Sequence, residues 1–293
     1  MLRFLAFLLL PLVAACATAP PPPPPAFTSE RISVEVRGSG PDVVLIPGLS
    51  SHPQIWESTV AAVPGYRYHI VHVAGFAGKP AGANAAGPVV APVAEEIARY
   101  IGEAGLARPA IVGHSLGGSW AMMVAARNPG IASRVMVVDM IPFMGVMFGA
   151  QNAEGVRPAA DQMRRGMATM TGEARRSMVE QTINSMVRTE SFRPGLIDQS
   201  LAIDPAVSGQ AFYEVITTDL RPELRNVSVP LTVLFVHPPN APVGPDQIEQ
   251  YYRLSYANAP QAVLKRIPDA YHFIMFDAPE VFQRELRTFL EAR

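Results

Sequence analysis

The run Gly113-His114-Ser115-Leu116-Gly117 is where this chain could carry out nucleophilic chemistry. An apolar run, Pro109-Ala110-Ile111-Val112, precedes it and reads as a short buried strand; Gly118 to Ala126 follows and reads as a helix. Ser115 therefore falls on a tight strand-to-helix turn, the setting in which G-x-S-x-G exposes a serine hydroxyl. The flanking glycines are required because side chains there would strike neighbouring backbone. The amide of Leu116 opens the helix, where an oxyanion can be held. A serine hydroxyl is a poor nucleophile on its own. It needs a base within hydrogen-bond reach, and that base needs a carboxylate to accept from its other ring nitrogen.

The elements that must position these groups follow from hydropathy patterning. Arg31 to Val36 alternates and predicts a strand, and Gly38-Ser39-Gly40-Pro41 a turn. Val43 to Ile46 is continuously apolar, so it predicts a strand buried on both faces. Further strands are predicted at Arg67–Val73, at Arg134–Val138 ending on Asp139, at Leu231–Val236 and at Ala262–Ile267. Val93, Ile97 and Ile101 recur at helical spacing, and a closing helix carries Phe282, Leu286, Phe289 and Leu290 on one face. Strands alternating with helices predict an α/β fold: a mostly parallel twisted sheet with helices on both faces. Residues 141–203 break the alternation, with no strand-like run. Eight of the thirteen Met fall between Met140 and Met186, with Met163, Met167 and Met170 on one helix face and Val179, Ile183 and Met186 on another. A helical insertion here would cover the C-terminal edge of the sheet as a lid, with Met side chains shaping an adaptable apolar pocket or packing on the core.

The 293 residues suit one large domain; 17% charged residues and a formal net charge of −1 give no electrostatic case for nucleic acid. The chain begins with Arg3 and an apolar stretch from Phe4 to Val13, too short to span a bilayer and read as a signal peptide over residues 1–15. Leu12-Val13-Ala14-Ala15-Cys16 resembles the bacterial lipobox. The resemblance implies lipidation of Cys16, a membrane anchor, and, with Ala17 following, an outer-membrane position facing the periplasm. Cys16 is the only cysteine, so neither a disulfide nor a Cys-ligated metal site is available. Residues 16–29 form a linker whose Pro20–Pro25 run predicts an extended polyproline spacer. The folded domain is expected over 30–293.

Four stretches together resemble the α/β-hydrolase superfamily. They are Pro47-Gly48-Leu49 with Trp56, similar to the family's oxyanion loop with Pro in place of the usual His; Gly75-Phe76-Ala77-Gly78; the elbow at Gly113–Gly117; and Tyr271-His272-Phe273 with Asp277, Pro279 and Glu280 behind it. The resemblance implies an α/β-hydrolase fold with a helical lid, and an oxyanion hole made by the amides of Leu49 and Leu116. It places Asp277 at a position used for packing the closing helix.

Of six histidines, His272 is the expected base, because it follows the last strand in a loop before the closing helix and completes the chain order Ser, acid, His. His114 is read as a packing residue, since neighbouring side chains diverge; His69 and His72 as structural; His52, in the oxyanion loop, as able to touch substrate; His237 as a weaker rival base. The acid departs from the family pattern. The segment His237 to Pro245 holds no carboxylate and Asp246 arrives late, in Asp246-Gln247-Ile248-Glu249, which reads as a helix N-cap with a carboxylate three residues on. Asp139 instead ends an apolar strand, where a carboxylate needs a partner. Val138-Asp139-Met140-Ile141-Pro142 resembles branches of the superfamily that place their acid after this strand. Asp139 is the preferred acid and Asp246 the alternative; Asp269 belongs to a turn.

These assignments predict a serine hydrolase that cleaves small-molecule carboxylic esters through an acyl-enzyme. Serine rather than aspartate as nucleophile argues against dehalogenase and epoxide-hydrolase chemistry. Cofactor-free perhydrolysis by the same residues and a catalytically idle binding lipoprotein stay open as alternatives. No metal-ligand spacing, phosphate loop or dinucleotide fingerprint is present, so no cofactor is implied.

Overall fold

The structure, a computed structural model, describes residues 27–237 and 241–292. The signal peptide, Cys16 and the proline run lie outside the described residues. Among the described residues no helix is long and apolar enough to cross a membrane.

Seven strands form one sheet: β1 (Ile32–Gly38), β2 (Asp42–Ile46), β3 (Arg67–Val73), β4 (Ala110–His114), β5 (Arg134–Val138), β6 (Leu231–Phe235) and β7 (Val263–Arg266). Their spatial order is β1-β3-β2-β4-β5-β6-β7, with β1 antiparallel to β3 and every other pairing parallel. The central strands are continuous apolar runs because both faces are covered. One face packs on α2 (Val90–Glu103) and α3 (Leu116–Arg127); the other packs on α1 (Glu57–Ala62) and α10 (Pro279–Glu291), whose Phe282, Leu286 and Phe289 are buried. The chain steps outward from β2 to β3 and then crosses to β4 on the other side. The loops leaving β2 and β4 therefore flank the point where strand order reverses, the crevice in which open α/β sheets bind ligands.

Between Val138 and Leu231 the chain is helical: α4 (Ala153–Thr169), α5 (Gly172–Met186), α6 (Arg193–Leu201) and α7 (Pro205–Thr217). The helical stretch runs on past Ile203, where the sequence pattern suggested its end. Helix α7 buries Val207, Ala211, Val215 and Ile216 in the main core, so its apolar face reads as an ordinary core helix. Val207 also presses on Gly75, where a Cβ would lie 2.8 Å from Val207 Cγ1. Helix α8 (Pro245–Ser255) follows β6, and a short α9 (Ile274–Asp277) precedes α10.

His69 and His72 lie on β3, as expected of structural residues. His69 is buried, with Nδ1 paired to Tyr100 Oη at 2.6 Å and Nε2 to Asp42 Oδ1 at 2.9 Å. His72 Nε2 donates to the Phe76 carbonyl at 3.1 Å, and burial pulls its pKa from the ordinary 6.5 down to about 4. A histidine held neutral in the folded state and protonated in the unfolded one makes folding weaken as pH falls. The loss begins below the unfolded pKa and is complete once the folded pKa is passed. His72 is therefore expected to remove stability between pH 6.5 and about 4, by about 1–2 kcal/mol once solvent screening of a partly exposed ring is allowed for. Urea denaturation across that range, compared with His72→Gln, checks this: the variant should show the shallower pH dependence.

Candidate active site

Ser115 stands between β4 and α3 with φ 55° and ψ −126°, a conformation that L-residues adopt only when their surroundings impose it. The glycines around it impose it. A Cβ on Gly113 would lie 2.0 Å from the Gly117 carbonyl oxygen, and one on Gly117 would lie 2.2 Å from that of Ile46. The strand end, the helix start and the loop leaving β2 thus meet in backbone-to-backbone contact that no larger residue permits. The serine amide is held by the Val138 carbonyl at 2.9 Å, which ties the turn to the end of β5.

The loop leaving β2 lies directly against the serine: a Cβ on Gly48 would be 2.9 Å from Ser115 Cβ. Leu49 is next in that loop, and Leu116 is the first residue of α3, whose N–H has no intrahelical acceptor. Neither amide donates to another described residue. The two predicted oxyanion donors therefore come from the loop after β2 and from the first residue of α3, with their hydrogen-bonding capacity unspent.

His272 and Asp139 meet across 133 residues of sequence: His272 Nδ1 donates to Asp139 Oδ2 at 2.6 Å. The Asp139 side chain is only 10% exposed. Its second oxygen, Oδ1, accepts from the Val236 amide at 3.1 Å and from Tyr252 Oη at 3.1 Å. Asp139 also sits at φ 53°, with its amide bonded to the Leu234 carbonyl at 2.7 Å. The carboxylate leaves β5, yet its orientation is set by β6 and α8. Burial, and then the Asp139 charge, push the Tyr252 phenol well above the usual tyrosine range, so it stays protonated and donates. Nothing in the local sequence around Tyr252 marks this role.

Asp246 occupies a different place. It lies exposed in the first turn of α8 and makes no hydrogen bond or ion pair with a described residue. Nor is it the helix cap. That position belongs to Gly244, whose amide donates to Gln247 Oε1 at 3.1 Å, because Pro245 fills the first helical position. His237 turns back to the Val243 carbonyl at 2.9 Å. Asp269, at φ 57°, lies in a turn as the pattern indicated.

His114 does more than pack. It is fully buried; its Nε2 donates to the His272 carbonyl at 3.0 Å, and its ring lies 4.7 Å from the His272 ring. Burial first, and the neighbouring His272 second, hold its pKa well below the ordinary value. A neutral His114 adds no charge beside the His272 ring. The elbow and the His272 loop are thus joined through the residue preceding the serine. No hydrogen bond runs between Ser115 Oγ and the His272 ring in this structure.

Asp277 also differs from its expected role in packing the closing helix. Its carboxylate accepts from the Tyr271 amide at 2.9 Å and from the amides of Arg188 and Thr189 at 3.0 and 2.8 Å. The Phe273 amide donates to the Met186 carbonyl at 3.2 Å, and Phe192 stacks on Phe276 at 4.4 Å. The segment joining α5 to α6 is therefore bound onto the loop that carries His272. His52, on the opposite side, accepts from the Gln54 amide through Nδ1 at 3.1 Å and packs edge-on against His72.

Comparison with known proteins agrees with this architecture. A pimeloyl-[acyl-carrier protein] methyl ester esterase from Vibrio cholerae is 28% identical over 212 residues, covering 69% of this chain and 77% of the relative. A mouse sn-1-specific diacylglycerol lipase is 23% identical over 203 residues, covering 68% of this chain and 64% of the lipase. An esterase from Exiguobacterium antarcticum superposes with a TM-score of 0.73 at 20% identity, covering 89% of this chain and 96% of the esterase. The model of the alpha/beta hydrolase family matches residues 43–285, from β2 to the middle of α10, and with the fold described above it establishes that the chain belongs to the α/β hydrolase family.

Proposed function

We propose that Ser115, His272 and Asp139 act as the nucleophile, base and acid of a carboxylic-ester hydrolase. The observation that carries this reading is the 2.6 Å bond from His272 Nδ1 to a buried carboxylate, made beside a serine held at positive φ on a strand-to-helix turn. Asp139 keeps the imidazole proton on Nδ1, which leaves Nε2 as the acceptor for the serine proton. Ser115 Oγ attacks the ester carbonyl as its proton passes to His272 Nε2. The carbonyl electrons move onto oxygen, which the Leu49 and Leu116 amides stabilise. The alkoxide leaves with the proton from His272, and water repeats the sequence on the acyl-enzyme to release the acid. The hydrogen bond from serine to imidazole forms as substrate draws the two together; such bonds are often long before substrate arrives.

The substrate class we infer is an ester with an aliphatic acyl chain. Residues 140–186 are rich in methionine, whose flexible side chains suit apolar groups, and two relatives are named for acyl esters. An ester panel on protein starting at Phe27 tests both parts. Turnover of p-nitrophenyl esters that rises from acetate to medium-chain acyl groups is expected. Folded protein that turns over no ester overturns the assignment.

A further inference from the structure

The loop that carries the Leu49 amide is anchored from two directions. At its start, β2 and the Gly48 contact with Ser115 hold it. At its end a short 3-10 helix (Pro53–Trp56) buries Trp56. Between them Ser50 sits at φ 65°, and the bonds within the loop are from the Ser51 amide to the Gly48 carbonyl at 3.2 Å and from Ser51 Oγ to the Leu49 carbonyl at 3.5 Å. The usual family histidine, which could pin this loop from within, is replaced by Pro47, which has no N–H and no polar side chain.

The pin comes from elsewhere. The His52 amide donates to Gln199 Oε1 at 3.0 Å, across 147 residues. Because the donor is a backbone N–H, the Gln199 oxygen must face the loop. Gln199 belongs to α6. The chain leaving α6 is itself fixed to the loop after β3: the Gly78 amide donates to the Ala202 carbonyl at 3.0 Å, and the Asp204 amide to the Gly75 carbonyl at 2.8 Å. The chain entering α6 is bound to the His272 loop by Asp277 and by the Phe192–Phe276 stack. Helix α6 is thus a strap whose ends are tied down on both sides of the serine, with Gln199 reaching from it onto the oxyanion loop.

We propose that Gln199 is a positioning residue for the oxyanion hole: it holds the His52 amide and so sets where the Leu49 N–H points, coupling the seating of α6 to stabilisation of the tetrahedral intermediate. The inference rests on the serine-hydrolase reading above. Gln199 touches neither substrate nor the reacting atoms, so its effect should appear in the chemical step rather than in substrate binding.

The test compares Gln199→Met, which keeps length and loses the oxygen, with Gln199→Glu, which keeps an acceptor. Gln199→Met is expected to lower kcat about tenfold with KM within about twofold, a fraction of the 10²–10³ that deleting an oxyanion donor costs. It should slow labelling by a fluorophosphonate by the same factor, since that adduct also places an oxygen in the hole. Gln199→Glu should restore both rates to within about threefold of wild type, because a carboxylate oxygen accepts the same bond. If Gln199→Met fails to fold, Gln199→Ala carries the same comparison. A wild-type chain that labels while the variant labels equally fast overturns this inference alone; so does a loss that Gln199→Glu fails to restore. A folded wild-type chain that never labels overturns the serine-hydrolase reading and this inference with it.

Discussion

Ser115→Ala is expected to lower ester kcat by about 10⁴-fold or more and to abolish fluorophosphonate labelling while the protein remains folded. The size of the effect follows from what the hydroxyl supplies. Without it no acyl-enzyme forms, and only the oxyanion donors and binding remain to accelerate direct attack by water. Folding should survive, because the serine side chain makes no hydrogen bond in the resting structure and the turn is held by backbone contacts at Gly113, Gly117 and the Ser115 amide. Positive φ strains alanine about as much as serine, so the thermal midpoint should change little. Turnover and labelling measured side by side check the prediction. Labelling that persists in Ser115→Ala would place the nucleophile elsewhere.

Asp139→Asn should lower kcat by about 10³–10⁴-fold, and Asp246→Asn should leave it within about twofold of wild type. The asparagine keeps an oxygen for the Val236 amide and the Tyr252 hydroxyl, so the fold is preserved. That arrangement turns the asparagine NH₂ toward His272 Nδ1. Two donors then face each other, and the ring must shift its proton to Nε2, the nitrogen that has to be free to take the serine proton. The exposed Asp246 has no comparable partner among the described residues. A kcat/KM profile for the two variants across pH 5–9 decides the matter, and equal mild losses would remove Asp139 from the triad. Asp139→Ala should be the less stable protein, because it leaves the buried Tyr252 hydroxyl and the Val236 amide without their acceptor, at about 1–3 kcal/mol for each such group.

These two predictions draw on different depths of information. The elbow was legible because its requirements are local: the close approaches at Gly113 and Gly117 involve residues within a few positions or an immediately paired strand. The strand and helix order was legible for a similar reason, since runs such as Val43–Ile46 and Val135–Val138 are apolar without alternation only when both faces are covered. Asp139 was visible as an anomaly, a carboxylate closing a buried strand. His272 was the partner expected for it; Val236 and Tyr252 were not foreseen, because they come from elements brought beside it only by the β5–β6 pairing and the packing of α8.

His114 and Asp277 show where reading neighbours in sequence stops. His114 ends β4, and being next to Ser115 in sequence gives no sign of what its ring bonds to. The carbonyl of His272 takes up its Nε2–H, a contact that no spacing along the chain encodes. Asp277 lies close to Tyr271 in sequence, but two of its three amides belong to the segment after α5, nearly ninety residues earlier. By itself the sequence marked Ser115 and His272 as candidate nucleophile and base, and showed the family resemblance and the alternation of elements, since these depend on residue types within short runs and on the order of those runs. The tertiary structure decided which carboxylate meets the imidazole, which side chain meets the His52 amide in the loop after β2, and how the two ends of α6 are tied down. Those contacts join residues 84–147 positions apart, and the order in which strands pair and helices dock brings them together.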